Sequence, residues 1–403
     1  MTRLICLLST FALICAAGAV EFQTHHIGTY RGEACGAGDF NNDGRLDIVA
    51  LPYLYLAPEF KPVKVAEVPG EVGEDGKGYR DDFMNVPLDV DGDGLLDVVT
   101  CSWFAKKIEW LRNTGPAGGL WPRTVVEENG NFECGELWDI DGDGKPLEIL
   151  PSVVETVWYE RAQGSEGHPP QKPGGVPTTL VKHVICGKPM TWGNGVGDVN
   201  GDGRPDVIRP DAWFEAPEDP RRGEWKEHPI AIGSLEEGKA AHTPQILVYD
   251  VNGDGLNDLV TSNAHQYGIF WYEQINRGGE IEFQQHLVDK SWSQAHSLAL
   301  ADLDGDGDSD LIAGKRFMAH NGGDPGATDP LGVYWYELKQ SGAPEWIKHA
   351  LSDNEGIGSA LNIIAEDLDE DGDIDIVVTG KWGGPVWFEN MRGHVKQPGA
   401  AKP

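Results

Sequence analysis

Asp302-Leu303-Asp304-Gly305-Asp306-Gly307-Asp308-Ser309-Asp310, followed at once by Leu311-Ile312-Ala313, is one copy of a motif that occurs seven times along the chain. Its general form is Asp-x-Asp/Asn-x-Asp-Gly-x-x-Asp, and the copies start at Asp39, Asp89, Asp139, Asp198, Asp250, Asp302 and Asp367. Positions 1, 3, 5 and 9 carry hard oxygen donors, the glycine at position 6 permits a sharp turn, and the carbonyl of position 7 can complete the shell. That is the chemistry of a calcium loop. The expected ligands are Asp39, Asn41, Asp43 and Asp47; Asp89, Asp91, Asp93 and Asp97; Asp139, Asp141, Asp143 and Glu148; Asp198, Asn200, Asp202 and Asp206; Asp250, Asn252, Asp254 and Asp258; Asp302, Asp304, Asp306 and Asp310; and Asp367, Asp369, Asp371 and Asp375. Loop 3 departs from the pattern, because its last acid, Glu148, comes one residue late. Loops 1, 4 and 5 have asparagine at position 3 and are expected to bind more weakly. EF-hands are excluded: position 12 is Ala50, Thr100, Leu150, Arg209, Thr261, Ala313 or Val378 rather than glutamate, and the flanks read as strands.

Between the loops the sequence is built from short β-branched and aromatic runs. One run precedes each loop and a second begins at position 9. A third is rich in Trp and Tyr, as in Phe270-Trp271-Tyr272-Glu273 and Tyr334-Trp335-Tyr336-Glu337. A fourth reads aromatic-x-x-His, as in Trp225 with His228, Phe283 with His286 and Trp346 with His349. No helical periodicity is sustained. Four strands per repeat and seven repeats predict an all-β, seven-bladed propeller spanning residues 20–390. An orphan fourth-strand pattern, Phe22-Gln23-Thr24-His25-His26-Ile27, stands at the start, and the last repeat stops after its third strand, Val386 to Asn390. The N-terminal strand is therefore expected to complete the last blade and close the ring. Residues 391–403 read as a disordered tail.

Arg3, the apolar stretch Leu4 to Ala17 and Ala17-Gly18-Ala19 read as a signal peptide of residues 1–19, and hence a secreted or periplasmic protein. The formal net charge of -33 is held largely in the loops and argues against nucleic acid and anionic membrane surfaces as partners; no further segment is apolar enough for membrane insertion. Cys35, Cys101, Cys134 and Cys186 remain after the signal, and their spacing does not choose between pairing and free thiols. Oligomeric state is not encoded in any pattern.

The loops and the Asp-Val/Leu/Ile strands after them resemble FG-GAP/VCBS-type repeats of integrin-α-like propellers. The fuller pattern, with its Trp-Tyr-Glu and aromatic-x-x-His strands, is similar to the propeller domain of aldos-2-ulose dehydratase. That resemblance implies a carbohydrate site and a carbon–oxygen lyase chemistry.

Repetition separates scaffold from site. His25, His183, His228, His286 and His349 share one fourth-strand register and read as structural, hydrogen-bonded between blades. His242, His265, His296 and His320 do not repeat, and topology sends all four to the face opposite the calcium loops, in blades 5 and 6. Tyr267 and Arg316 map there too, and these six are the candidate catalytic residues. Arg31, Glu33, Asp82, Trp103, Glu133, Trp192, Asn194, Lys315 and Trp382 map to the same face as candidate ligand-binding residues. A base beside a carbonyl with a nearby cation suits dehydration or β-elimination of a sugar or uronate polymer. Imidazoles also suit zinc, so a catalytic divalent metal at the histidines is a further expectation. A non-catalytic carbohydrate- or protein-binding propeller of adhesion type and a purely structural repeat protein are the two rival readings.

Overall fold

The computed structural model describes residues 20–115, 118–162, 180–340 and 343–392. Its described residues form seven four-stranded antiparallel sheets, each in the order A-B-C-D, and no α-helix. Blade 6 is representative: strand A is Ala295–Ala301, B is Asp310–Lys315, C is Gly332–Lys339 and D is Glu345–Asp353. The last blade is made from both ends of the chain. Ile364–Glu366, Asp375–Val378 and Val386–Asn390 supply A to C, and Phe22–His26 pairs with C in register Phe22↔Asn390 to His26↔Val386. The seven-bladed ring and its N-terminal closure are therefore as the repeats predict. The signal-peptide reading falls outside the described residues, as does most of the expected tail. Met391 and Arg392 at its start are still held, by Glu21 O and by Asp373. No helix among the described residues is long and apolar enough to cross a membrane.

The core lies between blades. Strand B is buried along its whole length in blades 5 and 6 because neighbouring blades cover both of its faces. Ile312, Val333 and Trp335 of blade 6 pack on Ile376, Val378 and Phe388 of blade 7. Each such side chain removes roughly 1.5–3 kcal/mol of apolar surface from water. Cys35, Cys101, Cys134 and Cys186 are all free thiols.

The repeated histidines are scaffold, but not between blades. Each stacks on the tryptophan of strand C in its own blade: His228 on Trp213 (4.0 Å), His183 on Trp158 (4.1 Å), His286 on Trp271 and His349 on Trp335 (both 4.3 Å), and His25 on Trp387 (4.4 Å). Four of them then reach the glutamate two residues further on at 2.8 Å, and His25 pairs likewise with Glu389. Antiparallel register forces this, since Trp and His are direct cross-strand partners.

The position-9 carboxylate fixes each loop to its blade. Asp258 accepts from Val251 N (3.2 Å) in the loop, Gln274 N (2.7 Å) at the end of strand C, and Trp271 Nε1 (2.8 Å). Asp47, Asp97, Asp206, Asp310 and Asp375 repeat the first two bonds. Glu148 keeps the loop bond despite its late position: its longer side chain brings Oε2 to Ile140 N at 3.0 Å. Inside the loops, position 1 accepts the glycine N–H of position 6 in all seven copies. At position 3, Asn41, Asn200 and Asn252 donate to the carboxylate two residues on (3.1 Å each). The four loops with aspartate at position 3 instead bring three carboxylates within 4.8 Å of one another.

Asp258→Ala strands three buried donors and is expected to cost about 2–4 kcal/mol by urea denaturation, measured in excess chelator so that any ion is removed from both proteins. An equal loss for the exposed loop residue Asp254→Ala would show that the anchoring bonds are not what matters.

Candidate functional site

Among the described residues, two segments that break the repeat meet on the face opposite the acidic loops. One is a small hairpin, Gly70–Val72 with Gly78–Arg80, between blades 1 and 2. The other is the blade 6 insertion, which contains a 3₁₀ turn at Ala319–Gly322. They meet over the axis. Gly78 N donates to Asn321 Oδ1 (2.8 Å), and the buried Lys381 ammonium donates to Gly78 O (3.2 Å) and Met318 O (2.8 Å). Burial lowers the Lys381 pKa to about 8. Met318, His320 and Asn321 have φ of 50°, 48° and 56°, a left-handed run costly for non-glycine residues. Such strain persists only where the surroundings over-determine it, and it sets His320 at the cavity's edge with its side chain 56% exposed.

The four non-repeat histidines come together. His265 is central, with ring centroids 4.5 Å from His320, 5.2 Å from His242 and 5.4 Å from His296. They line a cavity of about 260 Å³ with Trp103, Trp192 and Glu133. The two tryptophan rings lie 4.9 Å apart and form one wall. Asp324, four residues after His320, accepts its Nδ1 with both oxygens at 3.0 Å. His265, His320 and Asp324 can each present a ligand atom within 4.8 Å of the others. Burial, with the neighbouring His320, His242 and Arg316, holds the His265 pKa down at about 3, and burial also lowers His242. Both rings are neutral at physiological pH, the state in which imidazole binds metal.

Arg316 stands behind this cavity. Its guanidinium donates to Glu33 Oε2 (3.2 Å), Glu133 Oε1 (2.8 Å) and His296 Nε2 (2.9 Å). Burial opposes its charge, but Glu33 and Glu133 more than offset that and hold its pKa above the ordinary value. Arginine has no lone pair to offer, so His296 must accept through Nε2 and carry its proton on Nδ1. Burial and Arg316 push the His296 pKa well down, so the ring is neutral. Its Nδ1 is buried without a partner. His296 is thus a hydrogen-bond donor rather than a base.

The other expected residues are dispersed. Lys315 is fully buried and gives its ammonium to Ser293 O, Ser293 Oγ and Gly326 O at 2.9–3.0 Å, tying down the insertion. Tyr267 donates to Asp329 (3.1 Å) on the outer side of the insertion. Asp82 is buried and accepts from Asn85 and Thr100, and burial raises its pKa well above the carboxylate range. Asn194 donates to Leu150 O (2.9 Å), Arg31 to Gly73 O, and Trp382 packs in the blade 6–7 core. Sequence reasoning passed over Asp324, Lys381 and Gln245. For Asp324 a signal existed, its i+4 spacing from His320 in the one long insertion; for the other two, none did.

Gln245 crosses the axis. Its Nε2 donates to Glu136 Oε1 (2.7 Å) in blade 3 and Leu361 O (3.0 Å) before blade 7, and its Oε1 accepts Leu298 N (3.0 Å) in blade 6. Toward the acidic-loop face lies a second axial cavity of about 320 Å³, lined by residues of the A strands including Glu136 and Glu366.

This architecture defines the class: a seven-bladed propeller, in which residues 250–313 match the family of FG-GAP-like repeats. No curated protein matches the sequence significantly. Among solved structures, an Agrocybe aegerita lectin that recognises non-reducing terminal N-acetylglucosamine shares 18% identity over 90% of this chain and 87% of its own, with TM-score 0.47. An auxiliary nutrient binding protein from Bacteroides ovatus shares 10% over 90% and 77% (TM-score 0.44). A gluconolactonase from Xanthomonas campestris shares 10% over 94% and 99% (TM-score 0.38). Likeness at this level says nothing about ligand or activity.

Burial raises the Glu136 pKa from its ordinary 4.5 to about 7. Between those values the folded protein holds a proton that the unfolded chain releases, so this stabilisation is full below about pH 4.5 and is lost as pH rises through 7. Glu136→Gln keeps the acceptor for Gln245 and removes the titration. Its melting temperature relative to the parent should therefore rise by about 1–3 °C between pH 5 and pH 8. A gap that does not change with pH would show that Glu136 stays ionised.

Proposed function

We propose that the histidine cavity binds a carbohydrate-type substrate and acts on it by proton abstraction and β-elimination, as a sugar dehydratase or lyase. The observation that carries this reading is the convergence of four histidines outside the repeated register, His242, His265, His296 and His320, on one cavity, beside an arginine and two tryptophans. His265, His320 and Asp324 fit a divalent transition metal: two imidazole nitrogens and a carboxylate in reach of one another, with His242 adjacent. Such an ion would polarise a sugar carbonyl. The chain's own groups do the rest. His296 Nδ1–H donates to oxygen where enolate charge develops, and Arg316 fixes that tautomer. His242, at the exposed rim, accepts the proton from carbon. Trp103 and Trp192 offer ring faces to the apolar side of a pyranose.

The acidic loops are proposed as structural calcium sites, and the protein as secreted or periplasmic. Charge supports the first reading: only some loop carboxylates are met by the chain's own cations, as where Lys339 pairs with Asp304 and Asp306 or Arg112 with Asp91 and Asp93.

Metal analysis of the purified protein should find one transition metal per chain beyond any calcium. His265→Ala, His320→Ala and Asp324→Ala should each lose it, change the melting temperature little, and abolish formation of an ultraviolet-absorbing unsaturated product from a panel of keto-sugars and uronate polymers. Chelation of calcium should separately lower the melting temperature. If the variants keep the metal, or if all three unfold, the cavity is scaffold and the structural reading replaces this one.

A further inference from the structure

The histidine cavity does not end at its histidines. Trp103, Glu133 and His320 have a second face, which forms part of an adjoining cavity of about 190 Å³. Three aromatic rings, Tyr79 from the small hairpin and Phe83 and Phe104 from blade 2, make up most of its remaining wall, with Arg316 and Asn321. The three rings form a closed set, with centroids 6.0 Å apart for Tyr79–Phe83, 5.7 Å for Tyr79–Phe104 and 5.9 Å for Phe83–Phe104. Arg316 lies over Tyr79 (5.9 Å) and Phe83 (6.0 Å) and so backs both cavities. Phe104 is 56% exposed, the second most exposed large apolar side chain among the described residues. It contributes little to the core, so its place in the ring set is not explained by folding. The wall also depends on the two non-repeat segments being clamped together by Lys381 and Asn321, a construction the propeller itself does not need.

We propose that this second cavity receives the leaving group of the substrate, and that the leaving group is a planar aromatic ring: the substrate is an aryl glycoside of a keto-sugar rather than a free monosaccharide. This rests on the reading of the histidine cavity as the sugar site. The choice of an aryl group over a second sugar follows from the polar inventory. Arg316 Nε and Nη1 are taken up by Glu33, Glu133 and His296, the His320 Nδ1 by Asp324, and the Asn321 carbonyl by Gly78 N. A pyranose would lay its hydroxyl groups over the Tyr79, Phe83 and Phe104 rings, whereas an aryl ring meets that set with faces and edges alone. The step balances without an oxidant. A C–H bond next to the carbonyl loses its proton to the base, its electron pair becomes the C=C bond, the C–O bond to the aryl group breaks, and the phenoxide takes up a proton to leave as a phenol. The reaction that supplies the substrate is therefore an oxidation of a glycoside hydroxyl to a ketone.

Binding by the whole protein can be measured by titration calorimetry with three probes: 4-nitrophenyl β-glucoside, methyl β-glucoside and cellobiose. The aryl glucoside should bind at least tenfold more tightly than the methyl glucoside. Phe104→Ala should erase most of that advantage while leaving methyl glucoside affinity within twofold, and Phe104→Trp should restore it. No aryl preference, or one unmoved by Phe104→Ala, overturns the leaving-group site while methyl glucoside binding that is lost in His265→Ala keeps the sugar site standing. Cellobiose binding as tightly as the aryl probe, with the same loss in Phe104→Ala, overturns the aryl assignment in favour of a sugar ring. If none of the three binds, the sugar reading of the histidine cavity fails with it.

Discussion

One buried carboxylate per blade holds this propeller together. The last acid of each loop, aspartate in six blades and Glu148 in the third, has almost no exposed surface and receives a loop N–H, and each of the six aspartates also receives an N–H from strand C or the residue or two after it. A β-blade has no hydrogen bonds of its own between the A–B turn and strand C, so this side chain supplies the cross-link. Everything on the opposite face inherits its geometry from blades fixed in this way. The lesson for such motifs is that ligand-like spacing has two physical readings at once. Positions 1, 3 and 5 can face an ion, while position 9 is already engaged with backbone donors, and its remaining lone pairs decide whether it also serves a cation.

The fold was legible in the sequence because it is written seven times. Strand B begins at the loop's last acid in every blade, including at Glu148, which comes one residue late and reaches the loop N–H with its longer side chain. The closure by Phe22–His26 was legible for the same reason, as a fourth strand in search of a blade. The histidine register was also readable, yet the partner was not: the stack on Trp and the bond to Glu lie within one blade because cross-strand pairing, not blade packing, sets which side chains touch.

The site was legible only as far as subtraction reaches. Setting aside the five repeated histidines, His26 beside one of them, His168 in a Pro/Gly-rich insertion and His394 near the end left His242, His265, His296 and His320, and the ring brings these four together. Subtraction cannot say what a side chain points at. Lys315 and Arg316 are neighbours in sequence, but alternation along strand B sends one ammonium into the insertion and the other cation to the axis. Nor could it foresee that Arg316 would take the Nε2 of His296, which turns a presumed base into a donor. Tyr79 and Lys381 were invisible because their roles exist only where two distant insertions touch.

Gln245 gives the molecule a property that the usual picture of a propeller with an open shaft does not have. A carboxamide bonded to blades 3, 6 and 7 from blade 5 ties four blades across the axis, where a propeller shaft would otherwise run clear. Under the proposed lyase reading, the fragment lying against Phe104, which meets solvent, would be the one free to depart first. Turnover would then be governed by the order of release as much as by bond cleavage, while the axial cavity on the acidic face remains free to hold a different solute without interfering.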